Sequence, residues 1–229
     1  MFRMMMFNSF RFMPPPPTGL VVTYKGTFSA LATPADPHTF TVDVGAAGTK
    51  IVVLVCHGLR QNTVPRTLSS VSVDGTTGTI AVQAGTNDGA DQAIQLGIGQ
   101  REITTGGTIT CIADWSQNLH SSAVDVYTIT GHTSSTSVNA KSATGNEPTF
   151  SNLTVSANGC VIAGATGVNP EGSITFTGVT KDHEELITGA AENQQVACGS
   201  ISGLGATSTY NVAMSSSGAN EIVAAVSFV

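Results

Sequence analysis

From Leu20 onward the chain is a succession of short β-forming runs broken by Gly, Asn, Asp or Pro, and this pattern constrains its fold more than any other feature. Within several runs apolar and polar residues alternate: Phe40, Val42 and Val44 against Thr39, Thr41 and Asp43, and likewise along 123–130. A period of two puts one set of side chains on each face of an extended strand. The expected strands are 20–24, 39–44, 51–57, 68–73, 79–83, 93–98, 108–114, 123–130, 137–141, 150–155, 160–165, 173–177, 185–187, 194–199, 209–214 and 221–229. Asp74-Gly75, Asn158-Gly159 and Gly106-Gly107 supply hairpin residues that tolerate positive φ. No stretch sustains a 3.6-residue period. The expectation is an all-β chain, an antiparallel β-sandwich of jelly-roll-like type, with one sandwich domain over 18–229.

Composition narrows the classes of function. Charged residues are 10% of the chain, against roughly 25% in ordinary globular proteins. Hydrophobic residues at 41% keep it out of the disordered class. A net charge of −6, with nine basic residues scattered along the chain, excludes a phosphate-binding surface, so no nucleic-acid partner is expected. The longest aliphatic run, 51–56, is far short of the roughly 20 residues that span a bilayer. The start is apolar but interrupted by Arg11 and lacks a signal peptide's cleavage site, which predicts synthesis in the cytosol. Cys56, Cys111, Cys160 and Cys198 each sit in an apolar run and form no C-x-x-C pair; they could form two disulfides, but cytosolic synthesis favours buried free thiols.

Residues 1–13 differ from everything that follows. They are rich in Met and Phe, carry Arg3 and Arg11 and no acid, and precede the run Pro14 to Pro17. Four prolines favour a stiff polyproline spacer. A free peptide of this kind cannot hide its apolar side chains, so another surface must. The arm could pack back on its own sandwich, or be a disordered or vector-derived start, but docking is preferred. Residues 1–17 are expected to be a docking arm and spacer, with Phe2, Arg3, Met5, Phe7, Phe10, Arg11 and Phe12 contacting a partner. A weak internal echo also runs through the chain. Thr39-Phe40, through Gly48 to 51–56, resembles Thr149-Phe150, through Gly159 to 161–165. It fits pseudo-symmetry, or simply the monotony of β sequences, and the second reading is preferred.

Motifs for catalysis are sparse. None of His38, His57, His120, His132 and His183 falls in an H-x-H or H-x-x-x-H pair. Asp182-His183-Glu184-Glu185 could offer oxygen ligands to a hard cation, but reads better as a solvated loop. There is no nucleophile elbow, phosphate loop or dinucleotide fingerprint. A glycosidase pair drawn from Asp114, Asp125, Glu147 and Glu171 remains the least favoured alternative. No catalytic residue, metal or cofactor is assigned. Trp115, the single tryptophan, is the candidate glycan contact if the chain is a carbohydrate-binding module.

The order of runs carries a resemblance. Strand 50–58 is followed by Val71-Ser72-Val73-Asp74-Gly75, then 93–97, then Gly106-Gly107 leading into Thr108-Ile109-Thr110-Cys111-Ile112, then a strand ending in Gly131. Over roughly 39–131 this resembles a sandwich module of bacteriophage virion and tail-associated proteins, although many such modules carry a Trp where Leu96 or Gly97 stands here. Asn8-Ser9-Phe10-Arg11-Phe12 is similar to docking arms at the start of some virion proteins. The resemblance implies a non-enzymatic virion protein: a tail fibre or tail-tip component, or a head decoration or spike. Other virion proteins would be its partners through residues 1–13, host-surface glycan a further one, and a homo-oligomer, by preference a trimer, its assembled form.

Overall fold

In the computed structural model residues 19–30, 36–168, 172–188 and 193–229 are described. The arm, its proline spacer and the seven expected docking residues lie outside them. The described chain is all strand and connection. Its elements are β1 (Val21–Ala30), β2 (His38–Asp43), β3 (Lys50–Arg60), β4 (Leu68–Val73), β5 (Thr76–Thr77), β6 (Thr79–Asn87), β7 (Ala93–Ile103), β8 (Thr108–Trp115) and β9 (Ser121–Thr130). They continue with β10 (Asn139–Gly145), β11 (Thr149–Val155), β12 (Gly159–Val168), β13 (Thr175–Thr177), β14 (Thr180–Thr188), β15 (Asn193–Leu204), β16 (Thr207–Ser215) and β17 (Ala219–Phe228). The expected hairpin positions hold: Asp74, Gly75, Gly107 and Asn158 all have positive φ.

These strands form four antiparallel sheets. Sheet I has the order β1-β9-β3-β7-β6, sheet II β2-β8-β4-β5, sheet III β10-β17-β12-β15-β14 and sheet IV β11-β16-β13. The antiparallel sandwich read from the sequence is therefore present, and it is built twice. Sheets I and II enclose one core, with Val52, Leu54, Cys56, Val124 and Val126 meeting Val42, Val71, Val73, Ile109 and Trp115. Sheets III and IV enclose another, where Val161, Ala163, Val223 and Ala225 meet Phe150, Leu153, Val212 and Met214. A third core joins sheet I to sheet III through Ile51, Val53, Val55, Ile98, Tyr127, Ile162, Ala224, Val226 and Phe228. The stack thus runs II, I, III, IV.

Layer position explains the two kinds of strand in the sequence. Strands of the outer sheets alternate, as in β2 and β8, because one face meets water. The central strands of the inner sheets are buried on both faces; β9, whose sequence alternates along 123–130, is among them, while the edge strands β1, β6, β10 and β14 are only partly covered. β3 is buried from Lys50 to Leu59, and β12 is buried throughout. Each large inner side chain, such as Tyr127 or Phe228, contributes about 1.5–3 kcal/mol on burial.

The strand orders of the two sandwiches are the same. Substituting β10, β11, β12, β13, β14, β15, β16 and β17 for β1, β2, β3, β4, β6, β7, β8 and β9 turns sheet I into III and sheet II into IV, with β5 the only addition. The Thr-Phe echo falls on the equivalent strands β2 and β11. It reflects a structural repeat, and the preference for sequence monotony is overturned. The two sandwiches also face one another with approximate twofold symmetry. β1 lies against β14 and β15, the equivalent β10 lies against β6, and β3 meets β12 between them. Near the centre a Cβ on Gly164 would fall 2.3 Å from Val55 Cγ1, so only glycine lets the sheets approach this closely there.

Gly164→Ala is expected to cost about 1–3 kcal/mol of stability through this overlap. Urea denaturation measures it, and adding Val55→Ala should recover part of the loss.

Candidate functional site: a polar seam between the sandwiches

Ionisable side chains in the middle of doubly buried strands demand partners, since an unpaired buried charge is costly. Sheet I carries two, His57 on β3 and Asp125 on β9, at 0% and 1% exposure. His57 Nε2 lies 2.8 Å from Asp125 Oδ2. The other oxygen, Asp125 Oδ1, accepts the hydroxyl of Thr27, which stands opposite it on β1. With its one proton used on Asp125, the Thr27 oxygen acts as acceptor for the Tyr24 hydroxyl and for His183 Nδ1 at 2.9 Å. His183 belongs to β14, so this bond crosses from one sandwich to the other. Two more do the same: Tyr127 donates to Asp182 Oδ2 at 2.9 Å, and Ser29 donates to Glu185 Oε2 at 2.7 Å. Ser200 adds a second donor to Asp182 at 2.7 Å.

Two β-bulges assemble this seam. The register of β1 shifts between Tyr24 and Gly26, whose φ of 127° suits glycine. The extra residue changes the parity, so Tyr24 and Thr27 both point at sheet III although three positions apart. On β14 the register shifts between Lys181 and His183. Asp182 and His183 consequently both turn toward sheet I. Aromatic contacts fill the space: the Tyr24 ring stacks on His183 with centroids 6.0 Å apart and packs against Tyr127 at 5.4 Å.

The electrostatics are those of a closed site with an open rim. Burial raises the phenol pKa values of Tyr24 and Tyr127 above their usual range, and both remain proton donors at neutral pH. Burial likewise raises the Cys198 thiol, with the Asp125 carboxylate adding to the effect. The His183 side chain is 34% exposed and forms the rim. His57 Nδ1 is buried and has no hydrogen-bond partner among the described residues. Chemically, the arrangement holds Asp125 with both oxygens engaged and Thr27 with its hydroxyl committed. That arrangement ties two sheets together.

The structure places the residues singled out in the sequence as follows. Trp115 is 3% exposed and lies in the core between sheets I and II. It offers no face for a sugar ring, and the glycan-contact expectation for Trp115 is corrected on that ground. Asp182, His183, Glu184 and Glu185 are within β14 instead of a solvated loop. Their side chains diverge: Glu184 bonds Lys181 and Ser173 away from the seam. Asp125 pairs with His57 instead of a second carboxyl. All four cysteines are buried free thiols. Sequence reasoning missed the pairing of His57 with Asp125, and the roles of Tyr24, Thr27 and Tyr127. The available signal was an ionisable residue inside each of two strongly apolar strands, one of them, 123–130, alternating.

Asp125→Ala is expected to destabilise the fold by about 2–4 kcal/mol, because it strands His57 Nε2 and the Thr27 hydroxyl without an acceptor. Chemical denaturation checks this against Asp43→Ala, an exposed control on β2. Burial also pushes the Cys111 and Cys160 thiols up to about 12. The native protein at pH 8 should therefore resist a thiol reagent, and four thiols should react once it is unfolded. Compared with protein-family models, curated proteins and solved structures, the chain matches none.

Proposed function

We propose that this chain is a non-enzymatic structural protein of a phage virion, anchored by its N-terminal arm and projecting the double sandwich outward. The observation that carries the proposal is how the stack divides its side chains. Its two inner sheets are consumed by packing, and its ionisable seam is engaged in bonds between layers. The largest regular surfaces left for a partner are the outer faces. On sheet II these present Thr39, Thr41, Thr108, Thr110, Ser70 and Ser72 beside the carboxylates of Asp43 and Asp114. On sheet IV the strands β11, β13 and β16 contain no Asp, Glu, Lys or Arg. Short hydroxyl and amide side chains on flat, stiff faces suit a projecting part that meets neutral surfaces through hydrogen bonds.

The sequence of residues 1–13 supports the anchoring half of the proposal. Its Phe and Met side chains offer apolar surface worth about 25 cal/mol per Å² when buried against a neighbouring virion protein. Arg3 and Arg11 offer charge-assisted bonds to that neighbour's carboxylates. Tail fibre, tail tip, head decoration and spike all fit this arrangement, with a homo-oligomer, by preference a trimer, as the assembled form. Contact with host glycan, the alternative of a carbohydrate-binding module, would fall to the outer hydroxyl faces, since Trp115 is enclosed.

Deleting residues 1–13 is expected to leave a folded protein with an unchanged urea midpoint that no longer joins its assembly. Incorporation of the truncated chain at the level of the full chain would overturn the proposal.

A further inference from the structure

The twofold relation between the sandwiches makes their two seams comparable residue by residue. Val55 and Gly164 meet near the axis and occupy equivalent places on β3 and β12. Val55 pairs with Asp125, and Gly164 pairs with Ala224, so Ala224 is the counterpart of Asp125. Thr27 pairs with Asp125 and Ser142 with Ala224, which matches Thr27 to Ser142. By the same registers Tyr127 corresponds to Val226, and Tyr24 to Ala140. On the facing strand, Cys198 pairs with Gly164 and with His183, while Ile98 pairs with Val55 and with Val82. His183 therefore corresponds to Val82, and the bulged Asp182 to Ala81. The bulge of β14 between Lys181 and His183 has its counterpart in β6 between Ile80 and Val82, whereas β10 pairs with β17 without the bulge of β1. The backbone is duplicated, yet one seam carries the polar network and the other small apolar and hydroxyl side chains.

We infer that this asymmetry makes the interface between sheets I and III selective: each sandwich is built to recognise the other and to reject a second copy of itself. A self-complementary twofold surface would otherwise accept its own kind. Pairing sheet I with sheet I would turn Ala81 and Val82 to this seam. The buried Tyr127 hydroxyl would then lose Asp182, Ser29 would lose Glu185 and Thr27 would lose His183, at both seams; Asp125 keeps Thr27 and His57 of its own sheet. Pairing sheet III with sheet III would set the partly exposed His183 and the exposed Asp182 against Ala140 and Ser142, again at both. Each wrong pair forgoes the crossing bonds at both seams, and the sheet I pair leaves the Tyr127 hydroxyl unpaired twice, while the right pair makes these bonds once and leaves the second seam apolar. The network thereby keeps the chain from joining to other copies through its inner sheets.

The test uses the full chain with a protease site inserted between Gly131 and Val138, the connection from β9 to β10. After cleavage, isotopically labelled and unlabelled protein are mixed, unfolded in urea and refolded together, and the pairs are counted by native mass spectrometry. First halves are expected to pair with second halves, labelled and unlabelled at random, in about a hundredfold excess over like-with-like pairs. The double variant Ser29→Ala with Tyr127→Phe, which removes two hydroxyls whose acceptors lie on β14, should let first halves pair with one another. Like-with-like pairs at the statistical fraction in the unsubstituted protein would overturn the inference, as would separation of the halves into monomers. The unsubstituted result decides the matter even where the double variant fails to refold.

Discussion

The burial of sheets I and III on both faces governs the rest of the molecule. A strand with one wet face can place a charge outward at little cost. A strand between two cores has no such face, so every ionisable residue on it needs an internal partner. That requirement explains why His57 and Asp125 meet each other, and why buried Lys50 and Glu221 are held by backbone and hydroxyl groups. The bulge of β1 brings Thr27 to Asp125 and Tyr24 to Thr27, and that of β14 brings His183 to Thr27.

Much of the fold was legible because water leaves a pattern on outer strands. The alternation of Phe40, Val42 and Val44 with Thr39, Thr41 and Asp43 marks the outer sheet directly. The uninterrupted run in β3 marks an inner strand, although the run alone does not say what covers its second face. Element ends were harder. The first strand read as stopping near Tyr24, because Lys25-Gly26 breaks the pattern, whereas β1 continues to Ala30 through a bulge. The change of phase from Leu20, Val22 and Tyr24 to Thr27 and Ser29 is the trace that such a bulge leaves.

The seam itself was not legible, for a physical reason. Its members are drawn from five strands that span most of the chain, and their proximity depends on which sheet packs on which. His57 and Asp125 stand 68 positions apart and sit on neighbouring strands only through the order β9-β3. His183 reaches them across the interface between sandwiches. Local periodicity reports which face a residue takes, and carries no information on the partner sheet. The repeat was visible as the Thr-Phe echo, but the two halves keep strand order far better than side chains. Ala224 standing for Asp125, and Val82 for His183, show how completely the sequence signal has been lost at the seam.

The position of β1 has a mechanical consequence. It lies at the edge of sheet I and runs antiparallel to β9 over nearly its whole length. A force applied along β1 would load that ladder in shear, so that its hydrogen bonds resist together instead of peeling one at a time. The bonds from Thr27 and Ser29 to β14 couple this strand to the second sandwich, so part of such a load is shared with sheet III.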